Sequence, residues 1–137
     1  MIARSYQPNG LNCSVSSSGG AIAPDSGVPD CFAAASDSGE TVVLRCVNEQ
    51  PTSVTAAVSL AGAAAGAWSV EISTMHGESP TLNNTPAQPR LVAPVQKQPS
   101  QIRTLMAEAA GQQAVVGLPP FSFTVATMTR KADDDLQ

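Results

Sequence analysis

Residues 68–73 read Trp-Ser-Val-Glu-Ile-Ser, a strict alternation of apolar and polar side chains. Successive side chains of a β-strand point to opposite faces of the sheet, so this pattern predicts a strand with one buried face. Residues 52–60 alternate in the same way with one exception, and residues 121–125 alternate throughout. We therefore expect antiparallel strands around a core that includes Trp68, Val70, Ile72, Phe121 and Phe123.

Other segments predict further strands. Residues 41–47 (TVVLRCV) are β-branched and mostly apolar, as expected of a buried central strand in which Arg45 needs a partner or an exit to solvent. The preceding Asp-Ser-Gly-Glu of residues 37–40 predicts a hairpin turn. Residues 113–118 predict a strand, whereas residues 102–109 fit a strand or a short helix equally well.

These patterns predict an all-β fold, an antiparallel two-sheet β-sandwich of jelly-roll type. We expect an N-terminal segment at 1–10, the sandwich at 11–129 and a disordered acidic tail at 130–137. Residues 75–99 hold five prolines and show no periodicity, so we expect a long ordered loop there.

The composition excludes several classes of function. Of the 137 residues, 42% are hydrophobic, 13% charged and 4% aromatic, and the net charge is −4. The few Lys and Arg residues are scattered, which argues against nucleic acid as a partner. No apolar run approaches the ~20 residues that span a bilayer, and no signal peptide is recognisable. We expect no membrane partner.

Three cysteines leave two alternatives open. Cys13, Cys31 and Cys46 lack the paired spacing of zinc ligands. They are either three free thiols or, if the protein is secreted, one disulfide and one free thiol.

Part of the sequence resembles a known family. After the strand at 68–73 comes a loop containing Leu-Asn-Asn-Thr-Pro (82–86), then Val-Ala-Pro (92–94), and later Pro-Phe-Ser-Phe (120–123). This order resembles the C-terminal β-sandwich domain of α-L-arabinofuranosidases of glycoside hydrolase family 51, over residues 41–127. In that family the catalytic glutamates belong to a preceding (β/α)₈ barrel, and nothing in this chain resembles that barrel.

The residues themselves give no catalytic site. Glycoside hydrolysis needs two carboxyl groups across a cleft, but the glutamates look like separate surface charges: Glu40, Glu49, Glu71, Glu78 and Glu108. His76, the sole histidine, has no nucleophile motif beside it. We expect no catalytic residue, no metal site and no cofactor.

Three further residues invite a binding or modification role. Trp68 is expected in the core rather than on a sugar-binding surface. Asn12 and Asn83 begin N-glycosylation patterns, which matter only for secretion through a eukaryotic pathway. Asn83 and Asn84 are also expected to hold the backbone of their loop through their side-chain amides.

The resemblance implies a non-catalytic accessory domain that packs against the catalytic barrel of a longer glycoside hydrolase and stabilises it. The protein would be extracellular if that parent is secreted. The alternative is a free-standing carbohydrate-binding or adhesion module with the same kind of sandwich.

Overall fold

The computed structural model describes residues 7–15, 28–60, 62, 66–102 and 112–132. Eight strands lie in these residues: β1 (Asn9–Leu11), β2 (Asp30–Ala35), β3 (Thr41–Asn48), β4 (Val54–Leu60), β5 (Trp68–His76), β6 (Val95–Ile102), β7 (Gln112–Leu118) and β8 (Ser122–Arg130). The described part contains no helix, and hence none of the length and apolarity needed to cross a membrane.

The strands form two antiparallel sheets. One has six strands in the order β1-β2-β3-β8-β5-β6, and the other pairs β4 with β7. The chain passes between the sheets in the β3–β4, β4–β5, β6–β7 and β7–β8 connections. Two sheets joined in this way enclose one core between their inner faces. The predicted all-β, two-sheet antiparallel sandwich is confirmed.

The predicted β2–β3 hairpin is also confirmed. Its turn is closed by hydrogen bonds from the Ser36 N–H to the Thr41 carbonyl at 2.9 Å and from the Gly39 N–H to the Ser36 carbonyl at 3.0 Å. Gly39 has a φ of 71°, a conformation that glycine adopts without steric cost.

The core lies between β3, β8 and β5 of the large sheet and the two strands of the small sheet. Trp68 is 4% exposed and Val70 1% exposed, which confirms that both belong to the core, and Ile72 packs against it. The small sheet turns the inner face of each of its strands towards the same core: Val54, Ala56, Val58 and Leu60 from β4, and Ala114, Val116 and Leu118 from β7.

The central strand β3 is buried on both faces. Leu44 belongs to the core, while Val43, on the opposite face, has no exposed surface. Arg45, also on that outer face, is 6% exposed, and its guanidinium carbon lies 5.6 Å from the ring centroid of Phe32. Phe32 is the residue paired with Arg45 in the β2–β3 ladder. The Phe32 ring is therefore one partner of this buried guanidinium.

The face of β8 that enters the core differs from the prediction. Ala126 and Met128, each 1% exposed, are the β8 residues of the core cluster. They lie on the opposite face from Phe123, so the prediction that Phe121 and Phe123 belong to the core is wrong. Val125, on the face of Phe123, is only 4% exposed. Because both faces of β8 are covered, alternation of polarity does not identify the inner one.

Phe121 departs from the prediction for a second reason. It precedes β8 and has a φ of 45°, in the left-handed region that non-glycine residues rarely occupy. Its N–H donates to the Gln50 carbonyl at 3.1 Å, which fixes the β7–β8 turn to the end of β3. The Phe121 ring is half-buried and does not follow the alternation of the strand.

The predicted loop at 75–99 is wrong at both ends. β5 continues through His76, and β6 begins at Val95 and contains Pro99. In the β5–β6 ladder, Val70 pairs with Ser100 and Ile72 with Lys97, so Gln98 and Pro99 together face a single residue of β5. This is a β-bulge on an edge strand, the position in a sheet that tolerates a proline. Residues 77–94 do form a loop.

Two other predicted segments fall partly outside the described residues. β6 ends at Ile102, and the rest of the segment 102–109 is not described, so its conformation stays a prediction. β8 extends through Arg130, and Lys131 donates its N–H to the Ala67 carbonyl at 2.8 Å. The remainder of the predicted tail, from 133 onwards, is not described.

Candidate functional surface

The loop of residues 77–94 is held in shape by the side chain of Asn84. Its Oδ1 accepts a hydrogen bond from the Val92 N–H at 2.6 Å, and its Nδ2 donates to the Val92 carbonyl at 2.8 Å. One side chain therefore satisfies both backbone groups of a residue eight positions away. This confirms the expectation that an amide of the Asn-Asn pair holds the loop backbone.

A second set of bonds stiffens the tip of this loop. Thr85 and Gln88 exchange backbone hydrogen bonds of 3.2 and 3.0 Å, and the Gln88 N–H also lies 3.1 Å from the Thr85 hydroxyl. Residues 83–91 are all exposed. The tip of the loop is thus an exposed surface whose shape is held by hydrogen bonds within the loop.

The buried side chain of Asn48 forms hydrogen bonds with several separate segments of backbone, a role that the sequence did not predict. It is 1% exposed, and its Nδ2 lies within hydrogen-bond distance of three carbonyl oxygens: Thr52 at 2.9 Å, Leu118 at 3.2 Å and Pro119 at 2.9 Å. Its Oδ1 accepts from the Gln50 N–H at 3.1 Å. This side chain joins the end of β3 to the β7–β8 turn. An asparagine at the end of an apolar run, three residues before Pro51, was the available signal.

The predicted surface charges do not form an evident site. Glu40, Glu49, Glu71 and Glu78 are exposed, and Glu108 lies outside the described residues. Glu40 and Glu49 flank the two ends of the eight-residue strand β3, which separates their backbones by roughly 25–30 Å at the usual rise per residue. That separation exceeds the ~5–9.5 Å between the carboxyl groups of a glycosidase pair. His76 is exposed at the end of β5.

The described residues contain no group of three or more His, Cys, Asp and Glu side chains placed to hold a metal ion. The expectation of no catalytic residue, metal or cofactor stays a prediction.

The aromatic side chains offer little to a sugar. Trp68 is in the core, as predicted. Phe121 and Phe123 are half-buried, and Phe32 is 53% exposed but carries the Arg45 guanidinium against its ring. Sugar recognition by stacking needs an accessible aromatic face, so among the described rings Phe32 is the candidate.

Exposed apolar side chains lie on both sides of the sandwich. Phe32 is on the outer face of the large sheet, whereas Val115, 68% exposed, is on the outer face of the small sheet. Leu91, 42% exposed, belongs to the 77–94 loop. These side chains therefore do not make up a single patch.

One disulfide joins neighbouring strands of the large sheet. Cys31 of β2 and Cys46 of β3 are direct partners in the ladder, with their Cα atoms 4.2 Å apart, and Cys13 is free and exposed. Of the two alternatives left open by the sequence, the structure selects one disulfide and one thiol.

The same architecture occurs within larger glycoside hydrolases. A family 51 arabinofuranosidase from Xanthomonas axonopodis pv. citri matches 74% of this chain at 24% sequence identity and a TM-score of 0.57. The arabinose-bound α-L-arabinofuranosidase MgGH51 matches 81% of the chain at 16% identity and a TM-score of 0.59. The chain shares the fold of one part of family 51 α-L-arabinofuranosidases.

The likeness covers a small part of those enzymes. The matched region is 19% of the Xanthomonas arabinofuranosidase and 16% of MgGH51. A Paenibacillus polymyxa xyloglucanase of glycoside hydrolase family 44 matches 74% of this chain over 16% of its own, at 17% identity and a TM-score of 0.51. A similar sandwich is thus also part of an enzyme from a second glycoside hydrolase family. No protein-family model and no curated protein matches the sequence.

Proposed function

We propose that this chain is a non-catalytic accessory domain of a longer, α-L-arabinofuranosidase-like glycoside hydrolase, where it packs against the catalytic barrel and stabilises it. The observation that carries the proposal is the asymmetry of the match. Between 72% and 81% of this chain corresponds to only 16–19% of each family 51 arabinofuranosidase. By this proposal the chain supplies one domain of the enzyme, and the larger remainder carries the chemistry.

The described surface supports a structural role over catalysis. Its glutamates are exposed and the pair at the ends of β3 is too far apart for glycoside hydrolysis. Phe32 on the outer face of the large sheet and Val115 on the outer face of the small sheet are both exposed, and a neighbouring domain can cover the apolar side chain of whichever face it packs against. By this proposal the parent enzyme removes terminal arabinofuranosyl groups from plant-type polysaccharides or glycoproteins.

The size of the natural polypeptide tests this proposal. Antibodies raised against the chain should detect, in denatured extracts of the source cells, a polypeptide several times heavier than 14.0 kDa. The polypeptide immunoprecipitated from a separate, native extract should hydrolyse a nitrophenyl arabinofuranoside, whereas the isolated chain should not. Detection of a 14.0 kDa species alone would favour a free-standing module.

The alternative, a carbohydrate-binding module, rests on the exposed ring of Phe32. Affinity electrophoresis in gels containing arabinan or arabinoxylan tests it. Retardation of the wild-type chain that is lost in F32A, but kept in the matched surface variant V115A, would support that alternative. Equal mobility in gels with and without polysaccharide is the result that the accessory-domain proposal predicts.

A further inference from the structure

The three cysteines would fall on one row across three neighbouring strands if β1 extended two residues beyond its observed end at Leu11. Cys31 pairs directly with Cys46 in the β2–β3 ladder and is disulfide-bonded to it. On the other side of β2, the β1–β2 register pairs Leu11 with Ala33. The same antiparallel register, continued by two residues, pairs Cys13 with Cys31. In the structure β1 ends at Leu11, and the free thiol of Cys13 is exposed just beyond it.

If β1 is extended to Cys13, the alternation of side chains along the strands places the three sulfur atoms on the same face of the sheet. Cys13 and Leu11 are two residues apart, as are Cys31 and Ala33, and each pair therefore shares a face of the sheet. Neighbouring strands are ~4.8 Å apart, so Cys13 and Cys31 would meet the Cα separation of ~4.4–6.8 Å that is usual for a disulfide. The Cα atoms of the bonded pair Cys31 and Cys46 are 4.2 Å apart. Cys13 and Cys46 would be separated by two strand spacings, or about 9.6 Å, which is beyond disulfide reach.

We propose that the domain has a second disulfide state, reached when β1 extends to Cys13 and its thiol exchanges with the neighbouring disulfide. The Cys13 thiolate attacks Sγ of Cys31, a Cys13–Cys31 bond forms, and the Cys31–Cys46 bond breaks. Cys46 leaves as the thiolate and takes up the proton that Cys13 released. The exchange has no net oxidation, so it needs no external oxidant or reductant.

The row geometry suits this reaction. The attacking, central and leaving sulfur atoms come from three successive strands, so the attack approaches along the line of the bond that breaks. Cys31 is half-buried and can be reached, whereas Cys46 is 2% exposed. A buried free cysteine packs as a small apolar side chain, so the Cys46 thiol keeps its place in the core after release. In the second state, the edge strand β1 is covalently tied to the sheet.

Two single variants of the full chain test whether the Cys13 thiol pairs specifically with Cys31. Each is equilibrated in a glutathione redox buffer at pH 8 and its free thiols are then counted in denaturant. C46S retains Cys13 and Cys31, and we expect these to form an intramolecular disulfide that leaves no free thiol. The matched variant C31S retains Cys13 and Cys46, which should stay as two thiols. Two thiols in both variants, or a disulfide in both, would overturn the proposal.

A measurement on the wild-type chain covers the case in which C46S does not fold. After equilibration at pH 8, the chain is quenched with acid and N-ethylmaleimide and cleaved by proteases at Asp30 and Arg45, which separates the three cysteines. We expect a fraction of molecules with a Cys13–Cys31 peptide and the label on Cys46. Label on Cys13 alone would overturn the proposal.

Discussion

The side-chain amide of Asn84 forms both of its hydrogen bonds with one residue, Val92, at 2.6 Å to the N–H and 2.8 Å to the carbonyl. An extended strand would pair with Val92 through the same two backbone groups, so the side chain takes the place of a strand partner. This closes residues 84–92 of the loop 77–94 through hydrogen bonds made within the loop. The contact also connects the two segments, Leu-Asn-Asn-Thr-Pro and Val-Ala-Pro, on which the sequence resemblance rests.

Substitution N84A should loosen this loop. Each lost hydrogen bond contributes about 0.5–1.5 kcal/mol in general, and the site is exposed, so we expect a loss of about 1 kcal/mol in the free energy of unfolding. Hydrogen exchange of the Val92 amide should become faster, and proteases should cut the loop more readily. The control is N83A, because Asn83 makes one local bond, to the Thr81 carbonyl at 3.1 Å. Equal effects of N84A and N83A would contradict the assigned role of Asn84.

Substitution N48A should be more damaging. It removes the buried donor shared by the carbonyls of Thr52, Leu118 and Pro119. Buried groups left without a partner cost about 1–3 kcal/mol each, and partial access of water reduces the sum, so we expect a loss of about 3 kcal/mol. Urea unfolding followed by the fluorescence of Trp68 measures it. The exposed Asn9 provides the control N9A, and a loss in N48A no larger than in N9A would contradict the account.

Loss of the disulfide should destabilise the chain independently of Cys13. The bond joins residues 15 positions apart, for which the chain-entropy relation gives about 3 kcal/mol. The double variant C31A/C46A should therefore unfold at clearly lower urea concentration than wild type under non-reducing conditions. C13A should unfold at the wild-type midpoint. Identical midpoints for all three proteins would show that the disulfide is absent in solution.

Much of the architecture could be predicted because most strands bury one face. The alternation at 52–60 and 68–73 identified β4, β5 and the position of Trp68 in the core. It failed at β8, whose polar Thr124 is buried on the inner face beside Thr74, with their hydroxyl oxygens 3.3 Å apart. The hydroxyl partner of Thr124 is on the neighbouring strand β5, 50 positions away along the chain, so the sequence around Thr124 does not indicate that its side chain is buried.

The candidate surface was less predictable. Pro99 concealed β6 because a proline at a bulge looks the same in sequence as a proline in a loop. The Cys31–Cys46 bond depends on the β2–β3 register, which one sequence does not specify. Asn48 bonds to carbonyls of residues 70 and 71 positions away, and nothing in its neighbourhood along the chain indicates that distant contact. Asn84, by contrast, was predicted because its partner lies in the same loop.

Paired truncations on β8 test which of its faces enters the core. M128A removes a side chain that is 1% exposed, and such truncations cost about 2–5 kcal/mol. F123A removes a half-buried ring from the outer face, so its cost should be smaller, although phenylalanine is the larger residue. Thermal unfolding of both variants shows which substitution lowers the stability more. A greater loss in F123A than in M128A would show that the inner face has been misassigned.

The accessory-domain proposal is tested most directly by mixing the chain with the catalytic barrel of its parent polypeptide, expressed separately. Sedimentation velocity should show a one-to-one complex. Thermal unfolding should show a higher midpoint for the barrel with the chain present, because a partner that binds only the folded state stabilises it. A barrel that is equally stable alone, and that never sediments with the chain, would contradict the proposal and leave the carbohydrate-binding module as the better account.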